Sequence, residues 1–241
     1  MKNEGRRKMR YNSFLNKMVK NKKIFVSVIL LVIICLGGSI AISYQKHNYK
    51  IETLESKIIK TDRLVLTKTS DEDFDCLAEY LLNKDVTKNL DPSLSEGFSS
   101  KEEALSFLKS ESSGQEYSKA IEFTIKLKEK NNLPIGEFDL MLTGNDDKYM
   151  VGLGYWLGKD YQGKGYASEA GYKIGNMAFK AKNVESLYAT SVKDNLPSIK
   201  LAKKIFDNIE ENSKNQVYRY EDNFDEYNLI MFTLSKKSRT E

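Results

Sequence analysis

The spacing of apolar positions changes along the chain. From Ile24 to Ser43 they run almost unbroken, IFVSVILLVIICLGGSIAIS, without a single charge. From about residue 60 they recur at the spacings of a folded domain. Arg63-Leu64-Val65-Leu66-Thr67 predicts a first strand. Ser70 is placed to cap a helix with Asp71, Glu72 and Asp73 in its first turn and Phe74, Leu77, Ala78 and Leu81 on one face. Pro92 and Gly97 mark a loop, and Ser100-Lys101-Glu102-Glu103 is a capping box opening a second helix, with Leu105 and Leu108 apolar. Ile121, Phe123, Ile125 and Leu127 alternate with polar residues, as a half-buried strand does. Turns at 130–132 and 144–147 separate it from strands at Ile135–Leu142 and Tyr149–Leu157, which makes a three-strand antiparallel meander. A glycine-rich loop follows, then a helix with Ala167, Ala170, Ile174, Met177 and Ala178 on one side. Ser186–Val192 reads as a strand and Pro197 as the start of a helix, where its missing N–H costs nothing. Val217–Tyr220 and Tyr227–Leu234 supply two closing strands. The order βααβββαβαββ predicts an α/β fold, a mixed and mostly antiparallel sheet flanked by helices.

The uncharged stretch predicts a membrane element. Twenty helical residues at about 1.5 Å each span about 30 Å, the hydrocarbon thickness of a bilayer. Residues 24–43 are therefore expected to be a transmembrane helix or signal-anchor, although Ala41-Ile42-Ser43 also resembles a signal-peptide cleavage site. Residues 1–23 form a basic segment with nine Lys or Arg, and 44–57 reads as a linker ahead of a domain at 58–236. The formal charge of +4 resides mostly in that head, so it gives no reason to expect nucleic acid as a partner. Lipid, through residues 24–43, is the expected macromolecular contact.

Composition narrows the chemistry. Cys35 and Cys76 are the two cysteines, and the one histidine, His47, precedes the domain. Neither cysteine has a partner at metal-ligand spacing, so no metal is expected and a histidine-based triad is excluded. Catalysis must use carboxylates, hydroxyls, tyrosines or backbone groups.

Gln162-Gly163-Lys164-Gly165-Tyr166-Ala167 lies between a strand and a helix, where glycines turn backbone N–H groups toward one point at a helix N-terminus. That arrangement binds phosphate. A P-loop reading fails because Gly165 stands where Ser or Thr would hold magnesium. A dinucleotide fingerprint fails because Ser168 replaces its third glycine.

The hexapeptide resembles the Gln-x-x-Gly-x-Ala pyrophosphate loop of the GNAT acetyltransferases. Thr61-Asp62-Arg63-Leu64-Val65-Leu66, Gly154-Tyr155-Trp156-Leu157 and Asn195-x-x-Ser198-x-Lys200-Leu201 resemble, in order, segments of the ribosomal-protein N-acetyltransferase branch of that superfamily. The resemblance covers residues 58–236 and implies a GNAT-like fold with acetyl-CoA as cosubstrate. It implies binding of the cosubstrate by Tyr155, Trp156, Leu157, Gln162, Gly163, Lys164, Gly165, Tyr166, Ala167 and Asn195. The pantetheine arm would lie along Gly154–Leu157, with the thioester where that strand parts from Ser186–Val192.

Acetyl transfer requires a neutral amine and a proton for the departing thiolate. The position at which family members often carry a carboxylate is Gly152, and the position of a common acid tyrosine is Ala202. Ser198 is the acid that the branch implies, and Glu137 is a base that could work through water. A lysine amine costs about 4.6 kcal/mol to deprotonate at pH 7 and an α-amine about 1.4, which favours weakly basic acceptors. Glu221, Asp222 and Asp225, between the last two strands, are expected to border the acceptor. The functional expectation is a membrane-attached N-acetyltransferase acting on the primary amine of a protein or peptide N-terminus, a polyamine or another small amine. Its alternative is a catalytically silent acyl-CoA-binding module on the membrane, since two usual acid–base positions are empty. The basic head argues for a domain outside the cell and acetyl-CoA for one inside; the cytosolic side is the expectation carried forward.

Overall fold

Alternating burial along the strands builds a single mixed sheet in which one pair of neighbours is parallel. The computed structural model describes residues 49–88, 90, 94, 97–112, 119–207, 209, 216–222 and 229–236, with the backbone alone at 111–112 and 216–222. The basic segment, the expected membrane segment and Asp225 lie outside the described residues. Among the described residues no helix is long and apolar enough to cross a membrane.

The elements are β1 (Ile59–Lys60), β2 (Leu64–Lys68), α1 (Asp71–Leu81), α2 (Lys84–Thr87), α3 (Lys101–Ser112), β3 (Ala120–Leu127), β4 (Leu133–Asn145), β5 (Lys148–Leu157), α4 (Tyr166–Lys180), β6 (Val184–Val192), α5 (Leu196–Asp207), β7 (Gln216–Asp222) and β8 (Leu229–Lys236). The strand order is β1-β2-β3-β4-β5-β6-β8-β7. Every neighbouring pair is antiparallel except β5 with β6. All the strands and helices read from periodicity are present; the short β1 and α2 were not foreseen.

Register sorts the side chains onto two faces. Phe123 of β3 lies opposite Phe138 of β4, which lies opposite Tyr155 of β5. On this face α4 and α5 pack so closely that a Cβ at Gly171 would stand 2.3 Å from Ile205 and 3.3 Å from Phe138. The neighbouring row, Thr124, Glu137 and Trp156, faces the other way, toward α1 and α3. There Phe74, Leu77, Ala78 and Leu81 form a second apolar cluster with Val86, Ala104 and Leu108, against which Trp156 packs. Burying such side chains at roughly 25 cal/mol per Å² holds the helices to both faces.

Three local expectations change. Residues 49–57 are not a linker. Ile51 and Leu54 are fully buried in a 3-10 turn, and Asn183 accepts from the Ile51 N–H and donates to Glu52. Residues 49–57 thus belong to the same compact unit as the sheet. Ser70 does not cap α1 with its side chain; its hydroxyl donates to Asp73 at 3.2 Å. Asp73 is buried against Lys126, 2.7 Å away, and accepts from Thr124. The capping box of α3 forms only in part: Ser100 Oγ accepts from the Glu103 N–H, but the Glu103 carboxylate reaches past the cap to accept the Ser99 N–H.

Candidate active site

The two parallel strands pair only from Tyr149 with Val184 to Gly152 with Tyr188. β5 then continues to Leu157 and β6 to Val192 without pairing each other. A V-shaped split results, in which the Leu153–Leu157 edge of β5 offers peptide groups that no neighbouring strand takes up. Five residues of strand give an edge about 17 Å long. A cleft of about 780 Å³ opens over its outer end, lined by Tyr155–Leu157, the Gln162–Ser168 turn except Lys164, the start of α5, and α2.

At the mouth, Gly163 and Gly165 have φ of 74° and 81°, the left-handed region that side-chain-bearing residues avoid. A Cβ at Gly163 would meet nothing within 4 Å. The requirement for glycine there is therefore conformational, as the turning of the backbone N–H groups toward one point demands. Gly165 immediately precedes α4 and, having no side chain, leaves the helix N-terminus without a side-chain cap. The first N–H groups of a helix lack partners within it, so an oxyanion is the natural complement of this turn.

The opening Thr61-Asp62-Arg63 segment acts from behind. Arg63 donates through Nε to Glu169 at 2.7 Å and through Nη1 to the Lys164 carbonyl at 3.0 Å. Its guanidinium stacks on Tyr166, 4.5 Å from the ring centre. Thr61 Oγ1 donates to the other Glu169 oxygen, which also accepts the Arg63 N–H. Burial raises the Glu169 carboxyl, but these donors outweigh it and hold it below the ordinary glutamate range. The loop is thus strapped to β2. Lys164 does not line the cleft: its carbonyl serves this strap, and its ammonium lies 5.8 Å from the centre of the Tyr161 ring.

Inside the cleft, Tyr155 and Ser198 meet. The Tyr155 hydroxyl donates to the Ser198 carbonyl at 3.1 Å and lies 3.2 Å from Ser198 Oγ. Burial, opposed by the Ser198 hydrogen bond, pushes the phenol's pKa up from its ordinary value. Asn195 Oδ1 accepts the Ser198 N–H at 3.3 Å, so Asn195 caps α5 as well as lining the cleft. The sequence reading placed Tyr155 under the pantetheine and missed its phenol as Ser198's partner; the facing register of β5 and α5 has no signature in linear spacing. Ala202 is buried in the core.

Glu137 lies one strand back, opposite Trp156. It is buried, 7% exposed, and its Oε2 accepts the Trp156 indole N–H at 3.1 Å. Burial above all, then the charge of Glu122, pushes its carboxyl up to about 8 against the pull of the Trp156 and Thr69 hydrogen bonds. It is not the solvated strand residue that alternation suggests, and it touches the cleft only through Trp156. Glu221 and Asp222 belong to β7, opposite Met231 and Ile230, and not to a turn. Their side chains, and Asp225 altogether, lie outside the described residues. Among the described residues, no group of acidic, histidine or cysteine side chains is placed to hold a metal ion.

The sequence profile described as an acetyltransferase (GNAT) domain matches residues 63–205. The chain is 30% identical over 148 residues to the uncharacterized N-acetyltransferase YnaD of Bacillus subtilis (strain 168), covering 61% of this chain and 80% of that protein. It is 32% identical over 143 residues to the uncharacterized N-acetyltransferase p20 of Bacillus licheniformis, covering 58% and 76% of the two chains. The fold superposes on the ribosomal-protein α-N-acetyltransferase RimL, solved with coenzyme A, with a TM-score of 0.57 at 16% identity over 75% of this chain and 98% of that one. With the acetyltransferase profile matching more than half of its length, the chain belongs to the GNAT acetyltransferase family as an acetyl-CoA-dependent N-acetyltransferase.

Proposed function

We propose that the acceptor is a weakly basic primary amine, foremost the α-amine of a protein or peptide. The observation that carries this is Glu137. A carboxyl raised to about 8 matches an α-ammonium near 8, so proton transfer between them is nearly balanced. From a lysine ammonium near 10.4 the same transfer runs uphill by about 3 kcal/mol. The α-amine named in the description of RimL agrees with this reading, which rests on Glu137.

Acetyl-CoA brings the activated acyl group. The glycine turn holds its pyrophosphate, with Gln162 Nε2 bonded to the Leu157 carbonyl at 3.0 Å to fix the join between strand and turn. The free edge of β5 takes the two amides of the arm. Glu137 accepts the amine's proton through water as the C–N bond forms. Ser198 gives its hydroxyl proton to sulfur as the C–S bond breaks and recovers one through Tyr155, whose phenol is reprotonated from water as Glu137 releases the amine's proton to solvent. Tyr155, Trp156, Leu157, Gly163, Gly165, Tyr166, Ala167 and Asn195 are the binding residues of this reading.

Attachment to a membrane through residues 24–43, with the domain on the cytosolic side, belongs to the same reading. It is supported by the uncharged twenty-residue run and by the need for acetyl-CoA. The test of the chemistry is thiol release from acetyl-CoA by the full chain with a panel of amines. Peptide α-amines should turn over at least about tenfold faster than lysine side chains or polyamines at pH 7.5, and Ser198→Ala should lower that rate about ten- to a thousandfold. Equal rates on lysine side chains would reject the acceptor class, and an unaffected Ser198→Ala would return Ser198 to the helix surface.

A further inference from the structure

Gly152, the last β5 residue paired with β6, stands where related enzymes often carry a carboxylate. A Cβ there would lie 2.8 Å from both Cζ and the hydroxyl of Tyr188, and 2.9 Å from the Met141 methyl. Tyr188 is the β6 residue beside Gly152 in the register. Its phenol end, not its Cβ, lies over Gly152, so the ring leans from β6 across to β5 at the point where the strands part. Met141, opposite Gly152 on β4, reaches the same point from the other side. Three adjacent strands thus bring one part-buried ring and one part-buried thioether against the inner end of the split, on the face of α1 and α3. The backbone is glycine there because the ring occupies the place of a side chain.

We infer that Tyr188, with Met141 beside it, is the specificity-determining residue for the acyl group, restricting the enzyme to short acyl chains. This rests on the reading that the acyl-CoA arm runs inward along the free edge of β5. An arm anchored at Gly163–Gly165 and laid along Leu157–Leu153 brings its acyl carbon to Gly152, against the Tyr188 ring. An acetyl methyl ends there. Each further methylene must displace the ring or the methionine, and one methylene in a hydrophobic pocket changes selection by about ten- to two-hundredfold.

Binding reports this without knowledge of the acceptor. Calorimetric titration of the full chain in detergent with CoA, acetyl-CoA and butyryl-CoA should show the first two binding alike and butyryl-CoA at least about tenfold more weakly. Tyr188→Phe keeps the ring and should keep that ratio. Tyr188→Ala should bring butyryl-CoA to within about threefold of acetyl-CoA while CoA affinity stays put, and Met141→Ala should move the ratio the same way by a smaller factor. Equal affinity of the wild type for acetyl- and butyryl-CoA overturns the inference. So does a wild-type ratio in Tyr188→Ala and Met141→Ala that both still bind CoA. If Tyr188→Ala fails to fold, Met141→Ala decides alone. No binding of CoA by the wild type would instead reject the course of the arm along β5, and the inference with it.

Discussion

Glu137 differs from its strand neighbours in what burial does to its proton. In the unfolded chain its carboxyl titrates near 4.5, and in the fold it does so near 8. Below about pH 4 both states hold the proton and folding loses nothing to it. Between these values the unfolded chain ionises while the fold keeps its proton, so stability falls as pH rises and levels off above about 8. Glu137→Gln removes this cost. The variant should match the wild type in unfolding free energy at pH 4 and exceed it at pH 8.5, by an amount on the order of a few kcal/mol, with a correspondingly higher Tm. As an enzyme it should lose the rise in turnover centred near pH 8. Unchanged relative stability across that range would contradict the buried-carboxylate account, and a retained rise would remove Glu137 as the base. Alternation along β4 marks Glu137 as polar, yet not as enclosed, because α1 lies over that face and its placement depends on residues far away in sequence. The Tyr155–Ser198 contact escaped linear reading for the same reason.

Elements were more legible than sites. Period-two alternation in β3 and the helical spacing in α1 and α4 reflect one buried face each, and that local signal survives in any tertiary context. β1 and α2 are too short to show a period. Ile51 and Leu54 sit among polar residues, so their burial becomes visible only when Asn183 is seen to anchor that turn. The glycine turn was readable because positive φ restricts residue choice at Gly163 and Gly165. Its strap to β2 was quoted as the Thr61-Asp62-Arg63 resemblance, but the reason for that segment lies in Glu169, which follows it by 106 positions and accepts from it at 2.7 Å. Such a strap suits a loop that must present N–H groups before ligand arrives, since preorganised binding loses less entropy.

For the whole molecule, the membrane reading and the enzyme reading meet at one question of sidedness. An epitope placed after Glu241 should survive protease treatment of intact cells and be lost only on lysis; its loss without lysis would place the domain outside, away from acetyl-CoA. The account's central claim is that acetyl-CoA lies in the split between β5 and β6 with its pyrophosphate on the glycine turn. Amide hydrogen exchange tests this most directly, because the Leu153–Leu157 edge is not paired with β6. Saturating acetyl-CoA should slow exchange at Leu153–Leu157 and at Gly163–Ala167, while the paired stretch Tyr149–Gly152 stays as it was. Protection elsewhere, or none in these two segments at saturation, would contradict it.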